Sequence, residues 1–201
     1  LHLAAREGTA EMVELLLLEG ADKDALDHGR RTPLYLATLK GHLAAVLALL
    51  AAGADVTLRC GRCKSTIIHA AAEGGQVDIL RAAIERGADV DTADSNQRTP
   101  LHAAACFNKV NAIDALVEAG AHIEARDSHG GTSLHRAASC ASPAAVLTLL
   151  KHGAYVNAQT KTQGYHRNTP LHIAVSNAGT RGAAEVVDLL LRSGADETII
   201  D

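Results

Sequence analysis

Between Thr32 and Gly53 the apolar residues return at helical spacing in two short bursts, and a glycine stops each one. In the first burst Leu34, Ala37 and Thr38 follow Thr32, a good N-cap, and Pro33, which suits the first helical position because no amide donor is needed there. Gly41 supplies the left-handed residue that ends this helix. Leu43, Val46, Leu47 and Leu50 then form the apolar stripe of an antiparallel second helix, closed by Gly53. Residues 54–64 are rich in Gly, Asp, Thr and Arg, a composition that predicts an exposed turn or hairpin.

The same pattern recurs along the whole chain. Leu1, Leu34, Ile68, Leu101, Leu134 and Leu171 open the units, and their positions step by 33, 34, 33, 33 and 37 residues. Gly20-Ala21, Gly53-Ala54, Gly87-Ala88, Gly120-Ala121, Gly153-Ala154 and Gly194-Ala195 close them. A period of this length, carrying Thr-Pro-Leu-His or a near relative at each start, marks a stacked helical repeat whose units cannot bury their apolar faces alone. With those motifs the chain resembles the ankyrin-repeat family from end to end. The resemblance implies an all-α solenoid of helix-turn-helix units with projecting β-turn or hairpin fingers. The units are repeats of about 1–31, 32–65, 66–98, 99–131, 132–168 and 169–201 in one domain. Leu1 sits inside an opening motif without its Thr-Pro, and Asp201 stands where another finger should begin, so a segment of a longer protein is expected.

Departures from the pattern carry their own expectations. Thr66-Ile67 and Thr132-Ser133 lose the proline and should cap less rigidly than Thr99-Pro100 and Thr169-Pro170. The inter-helix glycine, kept as Gly8, Gly41 and Gly75, becomes Asn108, which tolerates the left-handed region, and then Ala141 before Ser142-Pro143, where the turn should be rebuilt. Extra residues fall in the Arg59 to Lys64 finger, around Gln163 to His166, and in the Asn177 to Gly182 loop.

Composition sharpens the reading. Hydrophobic residues make up 47% of the chain and aromatics 2%, so the core must be Ala, Leu, Val and Ile on closely packed slender helices. A formal charge of −4 argues against nucleic acid as a partner, since such binders show a marked basic excess. The longest apolar stretch, Leu43 to Ala52, is far short of the roughly 20 residues that a bilayer requires. Four cysteines, no signal-like segment and no Asn-x-Ser/Thr site read as an intracellular, reducing compartment, cytoplasmic or nuclear. A monomer is expected.

No residue set has catalytic spacing, so the chain reads as non-enzymatic and needs no cofactor. His-Glu-x-x-His, a phosphate-binding loop and a nucleophile elbow are all missing. Histidines at His2, His69, His102, His135 and His172, with Tyr35 in the second unit, recur too far apart to share one ion, and the family resemblance implies a bonding role between neighbouring turns. Cys60-Gly-Arg-Cys63 has half of a zinc or redox motif, but two further ligands or a thioredoxin-like setting would be needed.

What remains is recognition. In the resembled family, partners lie against the finger tips and the exposed edge of the first helices, in a concave groove. Carried onto this chain, the contact positions include Leu39, Lys40, Cys106 and Phe107 on the helices. Arg59, Arg62, Lys64, Arg98, Arg126 and His129 lie at the fingers, with Tyr165 in the inserted one. Phe107 is the only phenylalanine and stands where core packing does not require it, a placement suited to an interface anchor. The basic fingers beside it fit an acidic-apolar protein or peptide partner. Two further readings stand beside this one: a targeting or regulatory arm of a larger enzyme or channel, and a metal- or redox-responsive finger at Cys60 and Cys63.

Overall fold

A computed structural model describes residues 1–160 and 167–198. Its described residues form twelve helices in six antiparallel pairs: α1 (His2–Glu7) with α2 (Ala10–Leu18), α3 (Pro33–Lys40) with α4 (Leu43–Ala51), α5 (Ile67–Gly74) with α6 (Val77–Glu85), α7 (Pro100–Cys106) with α8 (Val110–Glu118), α9 (Ser133–Ser139) with α10 (Pro143–Lys151), and α11 (Pro170–Ser176) with α12 (Ala183–Arg192). Odd-numbered helices pack in succession against one another, and so do even-numbered ones, which makes a two-layer helical solenoid. One continuous apolar core runs from Ala4 to Leu190, built from Ala, Leu, Val and Ile as the near absence of aromatics requires.

Four of the six first helices, α5, α7, α9 and α11, are started by a threonine and a histidine acting together. The backbone N–H of Thr99 donates to His102 Nδ1 at 3.1 Å, and the Thr99 hydroxyl lies 2.9 Å from the same nitrogen. Because Nδ1 accepts, Nε2 carries the proton, and it donates at 3.2 Å to the carbonyl of Gly131, the last residue of its own repeat and the one before the next capping threonine. His69 reaches the Arg98 carbonyl and His135 the Asn168 carbonyl in the same way. This single side chain caps its own helix and fastens the following finger. Thr66 and Thr132 hold the same box as Thr99 and Thr169. The expected weaker capping is therefore corrected: the histidine, which all four units keep, makes the cap.

The turn after α9 also corrects an expectation. Ala141 takes the left-handed conformation, φ 48°, as Asn108 does at φ 55°. The bonds Ala141 N–H to Ala138 O and Ser142 N–H to Ala137 O copy those after Gly41, where Gly41 N–H meets Thr38 O and His42 N–H meets Ala37 O. Stacking fixes the turn geometry, and alanine accepts the strain. The enlarged loop before α12 leans on this turn: a Cβ on Gly182 would stand 2.9 Å from the Ala141 carbonyl oxygen. The insertion around Gln163 to His166 lies outside the described residues.

At the far end of the stack Val175 is 54% exposed, although its counterparts Ala72, Ala105 and Ala138 are fully buried by a following repeat. Leu171, Val187 and Leu191 line a cavity of about 340 Å³ beside it.

Candidate functional site

Fingers and first-helix ends form two parallel rows along the stack. Every finger needs a group that closes its turn, and that slot recurs at Asp27, Cys60, Asp94, Asp127 and Thr160. Asp94 Oδ1 accepts from the backbone of Asn96 and Arg98. Asp127 accepts from the backbone of His129 and Gly131 and pairs with the Arg136 guanidinium at 2.7 Å through Nε. Burial alone would raise its pKa, but those two N–H groups and the guanidinium hold it below the ordinary carboxylate value. The slot at Cys60 is filled by a buried thiol; the Cys60 N–H donates to Ser65 O at 2.7 Å, as the slot N–H does at Asp27, Asp94 and Asp127, and the Ser65 N–H donates back to Cys60 O at 3.1 Å in place of the carboxylate.

Fingers also bond to one another. Gly61 N–H donates to Arg30 O, Ser95 N–H to Cys63 O, and Ser128 N–H to Asn96 O. Two of the arginines expected at the partner surface join this ladder. Arg59 donates to the Ala93 carbonyl at 2.6 Å, and Arg126 donates to Gly130 and Gln159 at 2.6 and 2.7 Å. Each ties its own finger to the next. Arg98 is half-buried, and its Nε has no partner among the described residues. His129 is exposed with Nδ1 near the Ser128 hydroxyl. Arg62 and Lys64 are exposed, as are Arg30 and Lys40, and none of these four has an ion pair among the described residues. The backbone bond from Gly61 to Arg30 sets the first two finger tips side by side, which places Arg30 on one tip and Arg62 and Lys64 on the adjoining one.

The helix-end row supplies the apolar component. Leu39 and Lys40 end α3, both exposed. Phe107 caps α7 and is 50% exposed. Cys106, the residue before it, is joined by a disulfide to Cys140, which caps α9; their Cα atoms are 5.4 Å apart. Tyr165 lies outside the described residues. Tyr35, where other units have histidine, is half-buried, and burial first, then the nearby Cys60 and Glu73, pushes its phenol up to about 12.

Sequence reasoning missed three features. The Asp127–Arg136 pair was signalled by aspartates recurring at one register position, Asp27, Asp94 and Asp127. The fastening roles of Arg59 and Arg126 had a signal too, since both directly precede that slot. The disulfide joins two helix-end cysteines 34 residues apart, about one repeat, which was legible as adjacency but not as pairing. Among the described residues no three His, Cys, Asp or Glu side chains gather as a metal site, and no helix is long and apolar enough to cross a membrane.

Comparison with known proteins agrees with this architecture. A cation channel homologue of Caenorhabditis elegans, transient receptor potential subfamily A member 1, is 36% identical over 99 residues, covering 49% of this chain and 8% of that protein. Ankyrin repeat and SOCS box protein 11 of Danio rerio is 39% identical over 100 residues, 50% of this chain and 33% of that protein. A probable E3 ubiquitin-protein ligase of Oryza sativa, XBOS31, is 33% identical over 88 residues, 44% of this chain and 20% of that protein. The chain thus spans a third or less of the length of these relatives. The family model for ankyrin repeats in three copies matches residues 1–60, 57–127 and 126–201, so with its paired helices, histidine caps and bonded fingers the chain belongs to the ankyrin-repeat family.

Proposed function

We propose that this chain is a non-catalytic recognition module whose six repeats act as one unit and bind an acidic-apolar protein segment across the finger tips and first-helix ends. The observation that carries this reading is Phe107, half-exposed at the end of α7, together with Arg30, Arg62, Lys64 and Lys40, exposed in the first two repeats and without an ion pair among the described residues. Ankyrin repeats are protein-interaction modules, and the scaffold residues here are already spent on capping and stacking. Specificity therefore rests with side chains that the fold does not use. An aromatic anchor supplies desolvated contact area, and cations two to three repeats away along the stack steer an acidic partner and set its orientation.

A second reading has its own support. The relatives named above are a channel, a SOCS box protein and a probable ubiquitin ligase, each much longer than the matched region. In that reading the same face recruits a target for, or regulates, activity that resides elsewhere in a larger polypeptide.

Selection from a displayed peptide library tests the binding reading directly. Peptides with clustered Asp or Glu beside a large apolar residue should be enriched. Phe107→Ala should then weaken binding by roughly 30-fold, in line with an anchor worth about 2 kcal/mol. An Arg30→Ala, Arg62→Ala, Lys64→Ala triple should mainly slow association and flatten its salt dependence. Should both variants bind normally while Glu14→Lys on α2 abolishes capture, the partner uses the second-helix face and the assignment is wrong.

A further inference from the structure

The Cys106–Cys140 bridge crosses from the fourth repeat to the fifth at a junction that is already complete without it. Ala104, Ala105, Ala137 and Ala138 are fully buried there. His102 holds the end of the fourth repeat's own finger through Gly131, directly before the Thr132 that starts α9, the Ser142 hydroxyl donates to the Cys106 carbonyl at 3.1 Å, and Ala145 N–H donates to Asn108 Oδ1 at 2.8 Å. A covalent tie laid over a finished interface is not needed to build it. The two sulfurs also differ in access: Cys140 is exposed at the end of α9, and Cys106 is half-buried in the last turn of α7. Their 5.4 Å Cα separation falls within the roughly 4.4–6.8 Å that a disulfide spans, so closing and opening the bridge needs no rearrangement of the stack. Cys60 and Cys63, one buried and one exposed, remain unpaired in the same chain.

From this arrangement we infer that Cys106 and Cys140 form a reversible thiol–disulfide site, oxidised by a small-molecule disulfide, that locks the fourth repeat to the fifth. Cys140, the accessible thiol, loses its proton and its thiolate attacks one sulfur of the small disulfide, expelling a thiolate that takes up a proton. Cys106, deprotonated in turn, attacks the Cys140 sulfur of the mixed disulfide, forms the protein bridge and expels the second small thiolate, which is also protonated. Two protein thiols are oxidised and one small disulfide is reduced to two thiols. An excess of the small thiol runs both steps backward. The bridge lies beside Phe107, so its consequence for a bound partner rests on the binding reading above, whereas the chemistry does not.

Glutathione redox buffers are the probe. The whole 201-residue chain is equilibrated from reducing to oxidising ratios, quenched by alkylation and mapped by mass spectrometry. A linked Cys106–Cys140 peptide should rise and fall reversibly while Cys63 forms no link to another cysteine of the chain. In the bridged form, amides of α7, α9 and the Cys140 to Ala145 turn should exchange about tenfold more slowly, because opening between these repeats is tethered. Cys106→Ser should accumulate a glutathione adduct on Cys140, and Cys140→Ser should carry little on Cys106, which reads the order of attack without needing the bridge. The inference fails if both thiols remain alkylatable at the most oxidising ratio, if the link does not revert, or if Cys63 pairs as readily. None of these measurements involves a partner, so failure of the binding reading leaves them intact, and their failure leaves the binding reading intact.

Discussion

The second and fourth repeats fill equivalent positions with different chemistry. In the fourth, His102 accepts the Thr99 N–H and donates to Gly131, and Asp127 in the next slot carries a buried charge satisfied by two backbone N–H groups and Arg136. In the second, Tyr35 offers no ring acceptor, so the Thr32 hydroxyl accepts from the Tyr35 N–H and lies 3.8 Å from the Cys60 sulfur, and a backbone bond from Ser65 N–H to Cys60 O stands where the other fingers use the carboxylate. Both units pack into the same core. The fold thus asks each slot to close a turn and fill a volume, and leaves its ionisation open. One junction is built from titratable groups, and the other is nearly indifferent to acid.

Lowering the pH should separate them most strongly. Burial, opposed by the carbonyls they donate to, depresses the pKa of His69, His102 and His135, the last from 6.5 to about 4. The unfolded chain therefore takes up protons that the folded one refuses. Stability is fully present above pH 6.5 and is lost as pH falls through the window toward 4. Between pH 7.5 and 5, His135 alone should cost about 2 kcal/mol, with His69 and His102 adding in the same direction. Urea unfolding gives the total. Hydrogen exchange, corrected for its intrinsic pH dependence, should show α5, α7 and α9 losing more protection than α3, since stability in a linear array is partly local. Equal losses in α3 would erase the contrast, and a flat stability profile would refute the burial argument.

Substitution in the finger slot is the next largest effect. Asp127→Ala strands the His129 and Gly131 N–H groups and leaves Arg136 without its partner, which should cost about 2–4 kcal/mol, somewhat below a fully buried pair because Arg136 is partly exposed. Cys60→Ala removes a small apolar group from a turn that backbone bonds still close, and should cost about 1 kcal/mol. Thermal and urea melts of both variants decide the matter. If Cys60→Ala proves the more damaging, side-chain packing rather than hydrogen-bond closure holds these fingers.

Much of this was legible in the sequence because the period is strong. Helix pairs, their glycine stops, the alanine-rich core and the bonding role of the histidines follow from motifs that recur at fixed spacing and must each satisfy the same backbone groups. The misjudged points are those where a local rule met a stacked neighbour. Proline was given credit for a cap that the histidine makes, and Arg59 and Arg126 were read as free tips because their acceptors, Ala93 and Gln159, lie a whole repeat away. Pairing of Cys106 with Cys140 depends on side-chain direction at two helix ends, which spacing alone does not encode.

Ala141 gives the smallest and most discriminating test of how far a neighbour can override a local preference. Its left-handed backbone, φ 48°, costs an L-residue roughly 1–2 kcal/mol, and glycine would remove that cost while losing about 0.5–1 kcal/mol to greater freedom in the unfolded chain. Ala141→Gly should therefore stabilise by about 0.5 kcal/mol. The reverse change at the equivalent turns, Gly41→Ala or Gly75→Ala, should cost more than this gain. There the left-handed penalty is joined by crowding, since a new Cβ would meet Gln76 Nε2 or Lys109 Cδ at 2.9 Å, flexible ends that can move aside at some expense. Melts of the three variants in one buffer provide the comparison. A stabilised Ala141→Gly beside destabilised Gly41→Ala and Gly75→Ala would mean that all these turns share one geometry imposed by the stack. A destabilised Ala141→Gly would instead mean that the Ala141 methyl contributes packing worth more than its strain, and that the fifth repeat is held at this turn by a contact the glycine-bearing repeats do not have.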